Sequence, residues 1–133
     1  MIYLDTAALV KLIRREPESD ALTDWLDAQD EPTLVSSALA EVELPRALLR
    51  TEPELVTRVP AVLERIARYE IDELVRATAA SYRSPDLRSF DAIHLATAQA
   101  IFERHLTSFV TYDKRLLGCA RSMGLPAIAP GAA

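Results

Sequence analysis

Glycine, cysteine and histidine are scarce in this 133-residue chain, which has three, one and two of them. The single cysteine, Cys119, rules out an internal disulfide. That fits a reducing compartment without proving one. Three glycines leave no glycine-rich loop of the kind that cradles phosphate. The two histidines, His94 and His105, offer no convincing acid–base couple for attack by a ribose hydroxyl. Cys119 falls in a helical stretch with no obvious histidine partner, so a structural role fits it better than nucleophilic attack. No uncharged run approaches membrane-spanning length. The apolar start is broken by Asp5 and Lys11, and no small-residue cleavage site follows. A cytoplasmic protein with no membrane partner is expected. Basic residues are in deficit too, fifteen against twenty acidic, for a net charge of −5. That balance does not advertise a nucleic-acid binder, whose affinity usually rests on Lys and Arg meeting phosphates. A solvated acidic surface explains it. So do carboxylates gathered in one cleft around metal ions, and only positions decide.

Half of the residues are hydrophobic, which argues against disorder. The length predicts one domain over 1–133. Such a chain buries roughly two-thirds of its unfolded surface, so it needs neither metal nor disulfide to hold its fold.

The rest of the chain is organised around Ile2-Tyr3-Leu4-Asp5. Three apolar strand formers suit a strand buried on both faces. Asp5 ends that strand and a helix follows at once, with Leu9, Leu12 and Ile13 on one side. Further helices are predicted over 18–28, over 38–50 and from Pro53 to about Ala67. Ser36 or Ser37 is a natural N-cap for the 38–50 helix. Its buried stripe is read as Leu39, Val42 and Leu49, and Pro45 predicts a kink rather than a break. Later helices are predicted over 73–82, over 89–105 and from Asp113 to Met123-Gly124. Short strands are expected at 33–35, 69–71, 108–111 and 127–129. Alternating strands and helices predict a parallel sheet covered on both faces.

Four carboxylates lie where the chain enters or leaves these elements: Asp5, Glu43, Asp91 and Asp113. Each has an ordinary use. Asp5 and Asp113 suit helix caps, Asp91 suits the first turn of a helix, and Glu43 suits a helix flank. Asp5 and Asp113, however, both leave parallel strands at one sheet edge, the edge where open α/β sheets bind ligands. Carboxylates crowded there repel one another unless a cation is present. Such oxygen-rich clusters suit Mg²⁺ or Mn²⁺, which activate water and stabilise a phosphodiester under attack. A dehalogenase-type phosphatase would need a second Asp two residues after Asp5, where Ala7 stands.

With these residues in place, the chain resembles the PIN-domain family, and within it the VapC-type toxins of toxin–antitoxin pairs. The likeness spans nearly the whole chain. It is carried by Ile2-Tyr3-Leu4-Asp5-Thr6-Ala7, by Ser36 to Leu44 with Glu43 in the acidic position, by Leu87-Arg88-Ser89-Phe90-Asp91-Ala92-Ile93-His94-Leu95-Ala96-Thr97-Ala98, and by Thr111-Tyr112-Asp113. The resemblance implies a three-layer α/β/α PIN-like fold with a short-stranded central parallel sheet. It also implies a metal-dependent endoribonuclease that leaves a 5′-phosphate and a 3′-hydroxyl. Asp5, Asp91 and Asp113 would hold Mg²⁺ or Mn²⁺. Glu43 would complete the site, and Thr6 and Thr111 would orient carboxylates. A homodimer is implied, held inactive by a cognate VapB-type antitoxin that carries any contact with operator DNA. Pro45, so near Glu43, departs from the pattern. A catalytically inactive module of the same fold, binding antitoxin or nucleic acid, is the alternative.

Candidate substrate contacts are Lys11, Arg14, Arg15, Arg46, Arg50, Lys114 and Arg115. Solvated surface residues would look the same. Ala8, Leu9, Leu12, Leu22, Trp25 and Leu26 suit either a groove for an antitoxin helix or the core. His94, three residues after Asp91, is read as a packing residue or a hydrogen-bond partner of the site.

Overall fold

The computed structural model describes residues 1–132. Five strands alternate with helices: β1 Ile2–Leu4, β2 Leu34–Ser37, β3 Ala67–Tyr69, β4 Ser108–Val110 and β5 Ala127–Ile128. Every pairing is parallel, in the spatial order β3-β2-β1-β4-β5. The first strand is therefore the central one. Ile2 pairs with Leu34 on one side and Ser108 on the other. The chain winds outward to β3, then restarts on the far side of β1 with β4. That reversal opens a crevice beyond the ends of β1 and β4, the usual binding position in such sheets.

The α-helices are α1 Thr6–Lys11, α2 Ser19–Asp27, α3 Ala40–Thr51, α4 Val59–Leu63, α5 Glu73–Ser81, α6 Ser89–Thr97 and α7 Lys114–Ser122. Side chains alternate across β1, so it feeds two cores. Ile2 and Leu4 join Leu9, Leu22, Leu44, Leu48 and Leu63 on one face. Tyr3 joins Val35, Leu95, Phe109 and Leu116 on the other. This is the three-layer α/β/α arrangement expected from the alternation. Among the described residues no helix is long and apolar enough to cross a membrane.

Several local readings need correction. The buried stripe of α3 is Ala40, Leu44 and Leu48, while Val42 and Leu49 stand 59% and 51% exposed. The helix is apolar on most sides, so period alone does not choose its inner face; the sheet does. Pro45 lies inside a continuous α3. The helix expected from Pro53 splits into a 3₁₀ turn, Pro53–Arg58, and α4. Pro60 falls in the first turn of α4, where its missing N–H costs nothing. β3 comes two residues early, which frees Asp72 to cap α5 by accepting from Val75 N at 2.9 Å. Ser37 Oγ accepts from Leu39 N, but the N-cap position of α3 is Leu39, with no side-chain cap. The helix expected to reach His105 stops at Thr97 and loosens into a π turn, Ala98–Phe102, then a 3₁₀ turn. Those turns bring buried Leu106 back to the sheet, just before Ser108 pairs with Ile2.

The chain beyond β5 packs back on the first core. Tyr112 donates its hydroxyl to Pro130 O at 2.8 Å. Gly131 takes φ +81°, and a Cβ there would sit 2.5 Å from Ala21 Cβ on α2. Only glycine suits that turn and that approach.

Candidate active site

β1 delivers Asp5 to the crevice as the N-cap of α1. Its Oδ1 accepts from Ala8 N at 2.9 Å, and its Oδ2 accepts from the Thr111 hydroxyl. Thr111, just past β4, also accepts from Asp113 N at 3.2 Å. One hydroxyl thus joins the two strand ends. Asp113 caps α7 through Oδ1, which accepts from Arg115 N and Leu116 N at 2.9 and 3.0 Å. Both carboxylates do cap helices. The cap uses one oxygen of Asp113, and among the described residues the other has no protein partner.

Glu43 enters from α3. Its Oε1 accepts from Thr6 Oγ1 at 2.7 Å and lies 2.7 Å from His94 Nε2. His94 Nε2 is also 3.2 Å from Thr6 Oγ1, and His94 Nδ1 is 2.7 Å from the Tyr3 hydroxyl. A chain of contacts therefore runs from the buried core, through Tyr3 and His94, to Glu43. Because these bonds converge on Oε1, they leave Oε2 to the cleft. His94 is buried with both nitrogens engaged, so it supports the site rather than facing it. Sequence reading placed His94 near Asp91 but missed Tyr3, whose hydroxyl has no periodic signal. Asp91, in the first turn of α6, makes no hydrogen bond or ion pair among the described residues.

Glu43, Asp91 and Asp113 line one cavity of about 330 Å³ with Arg88, Ser89 and Phe90. An adjoining cavity of about 270 Å³ is lined by Asp86, Arg88, Asp91, Asp113, Lys114 and Arg115. A third, about 290 Å³ beside α5 and α6, holds no acidic side chain; the chemistry belongs to the acidic cleft.

The charges in the cleft strain against one another. Burial pushes the Asp5 carboxyl up to about 6, and Asp91 adds to the rise, against the pull of His94, Thr111 and Ala8 N. Burial also raises Asp91, and the negative charges of Asp113 and Glu43 raise it further. Burial would raise Glu43, but hydrogen bonds from His94 and Thr6 outweigh it and hold the carboxyl below its ordinary range. Asp91 thus links the other three: it raises Asp5, and Asp113 and Glu43 raise it. No three His, Cys, Asp or Glu side chains among the described residues are yet gathered as ligands to one ion. Their present partners explain that: Glu43 Oε1 is drawn to His94, Asp113 Oδ1 to the start of α7, and both Asp5 oxygens inward. The donor set is carboxylate oxygen alone, which fits a hard divalent cation rather than a soft one.

The proposed basic contacts separate into three groups. Arg46 and Arg50, exposed on α3, line neither acidic cavity. Lys11 pairs with Glu16 and Glu18 at 2.9 and 2.8 Å and lies 4.6 Å over the Tyr112 ring. Arg14 pairs with Glu16, and Arg15 with Asp20. These three brace the α1–α2 connection. Lys114 and Arg115 line the cleft instead, joined by Arg88, which the sequence reading did not single out. Ala8, Leu9, Leu22 and Leu26 belong to the core, with Leu12 and Trp25 packed against it, so they form no free groove.

The PIN-domain family model matches residues 2–121. Ribonuclease VapC35 of Mycobacterium tuberculosis is 56% identical over 134 aligned residues, covering 100% of this chain and 99% of that protein. The crystal structure of Mycobacterium tuberculosis VapC20, a sarcin–ricin-loop-cleaving toxin, superposes with a TM-score of 0.77 at 12% identity, covering 98% of this chain and 100% of that one. A toxin–antitoxin complex from Klebsiella pneumoniae superposes with a TM-score of 0.72 at 21% identity, covering 98% of each chain.

Proposed function

The chain belongs to the PIN-domain family and, within it, to the VapC ribonucleases, and from that premise we propose how its acidic cleft cuts RNA. The protein is an endoribonuclease toxin of a toxin–antitoxin system. The observation that carries the site assignment is geometric: Glu43, Asp91 and Asp113 line one cavity at the sheet's carboxyl edge, and Thr111 ties Asp5 to the end of β4 beside them. Such an arrangement is costly for folding and finds its use when a cation is bound.

In this reading Asp5, Asp91 and Asp113 hold Mg²⁺ or Mn²⁺, with Glu43 completing the set. Bound there, the ion supplies Lewis acidity toward the phosphodiester and lowers the pKa of water. Glu43, held charged at neutral pH, is suited to hold or orient through Oε2 rather than to keep a proton. Thr111 keeps Asp5 turned across the gap between β1 and β4. Thr6 and His94 fix Glu43, and Tyr3 fixes His94. A cation held there would favour the deprotonated form of Asp5.

A VapB-type antitoxin is the expected partner, with operator DNA contacted only through it. Residues 1–133 are read as one PIN domain working as a cytoplasmic homodimer. The test uses purified, antitoxin-free protein and total cellular RNA with Mg²⁺, Mn²⁺ or EDTA, beside Asp91→Asn. Discrete cuts that need metal, bear 5′-phosphates and vanish in Asp91→Asn are expected. Full cleavage by folded Asp91→Asn would overturn the assignment.

A further inference from the structure

Phe90 is 58% exposed, one of four large hydrophobic side chains left in water. It stands in the first turn of α6, one residue before Asp91, and lines the same cavity as Glu43, Asp91 and Asp113. More than half of the Phe90 surface is therefore open to a ligand beside the carboxylates. Arg88, exposed at the start of α6, lines both this cavity and the adjoining one, where Lys114 and Arg115 join it. None of these three cations makes an ion pair among the described residues. In a chain with a net charge of −5, they form a local basic rim beside an acidic centre.

We propose that Phe90 is the stacking platform for an unpaired RNA base next to the scissile phosphate, with Arg88, Lys114 and Arg115 carrying the neighbouring phosphates. This rests on the ribonuclease reading and adds a substrate-positioning residue to it. A base within an A-form helix is already stacked on its neighbours and offers no face to Phe90. Unpaired bases are bound by combining an aromatic face with a cationic track. Here the ring and the cations flank the carboxylates, so a strand seated on both crosses the acidic centre. Stacking is tolerant of base identity, so Phe90 fixes the placement and pairing state of the substrate more than its sequence.

The test is a titration of RNA decamers, with 2-aminopurine at the centre and randomised flanks, in Mg²⁺. The protein carries Asp5→Asn so that the RNA survives. Stacking on Phe90 is expected to quench the 2-aminopurine. Phe90→Leu, which keeps an apolar side chain without a ring face, is expected to weaken binding roughly five- to a hundredfold. Phe90→Trp is expected to restore it. Annealing the RNA to its complement is expected to abolish the quench. Arg88→Ala is expected to lower the slope of log affinity against log salt by about 0.7, the value for one single-strand phosphate contact. Unchanged affinity and quenching in Phe90→Leu would overturn the platform. If that variant instead alters self-association, Phe90 belongs to an interface between copies. Absent quenching with the Asp5→Asn parent also overturns it. Quenching that depends on Phe90, from a wild-type protein that leaves total RNA uncut, would keep the platform and overturn the nuclease.

Discussion

His94 Nε2 and Glu43 Oε1 lie 2.7 Å apart, and the far side of the imidazole is tied to Tyr3 at the centre of the sheet. The orientation of Glu43 is therefore set from the core. Tyr3→Phe removes one hydroxyl and keeps the ring stacked on Phe109, 5.2 Å away between centroids. It leaves a buried nitrogen of His94 without its partner, at a cost of about 1–3 kcal/mol. A lower urea midpoint is expected. His94→Ala is expected to reduce cleavage roughly 10- to 100-fold, as loss of a ligand's supporting hydrogen bond does. An unchanged rate would detach His94 from the site.

Asp5 carries the clearest pH signature. Its carboxyl stands at about 6 in the fold against 3.8 when unperturbed. Between those values the folded chain holds a proton that the unfolded chain has released. Stability contributed by this group therefore falls as pH rises from about 4 to about 6, by up to about 3 kcal/mol, and stays at the lower level above that. Asp5→Asn removes the buried charge. In EDTA the variant is expected to melt higher than the parent at pH 7.5, with the gap closing toward pH 4, while cleavage is lost. A variant that melts lower at pH 7.5 would contradict this account.

Asp113 caps α7 and is proposed to hold the cation, and substitution separates the two roles. Asn caps a helix about as well as Asp. Asp113→Asn is expected to unfold within about 0.5 kcal/mol of wild type and yet cut RNA far more slowly. Asp113→Ala is expected to lose about 1 kcal/mol in addition. Equal cleavage by wild type and Asp113→Asn would leave Asp113 as a cap alone.

Divalent cations are expected to stabilise the fold. At a hundredfold excess over its dissociation constant, a bound ion contributes about 2.7 kcal/mol. Because the ion competes with the Asp5 proton, the rise in melting temperature on adding Mg²⁺ or Mn²⁺ is expected to be larger at pH 7.5 than at pH 5.5. It is expected to vanish in Asp5→Asn and Asp91→Asn. An identical rise in those variants would place the cation elsewhere.

The fold was largely legible because strands and helices alternate in a chain with few glycines. Asp5 and Asp113 were legible as strand ends followed at once by helices, and their capping bonds follow from the same position. Two things were not. The inner face of α3 was hidden because Leu39, Val42, Leu44, Leu48 and Leu49 spread around the helix, and only docking on α1 and β2 selects Leu44 and Leu48. The Tyr3–His94 contact joins residues 91 apart in sequence, and no local period reports which face of a sheet a distant helix will cover. The ion pairs of Lys11 and Arg14 were hidden in the same way: their charges looked like RNA contacts until the α1–α2 connection folded back on them.

The Thr111–Asp5 bond also spans 106 residues, and this sets a schedule. The central strand is made early, but its second neighbour, β4, is translated only after α6. A partly synthesised chain holds Asp5 and Glu43 yet has neither Thr111 to orient Asp5 nor Asp113 to complete the cleft. The proposed acidic cleft is complete only once β4 has joined the sheet beside β1, so assembly of the site waits on the pairing of two strands far apart in the chain.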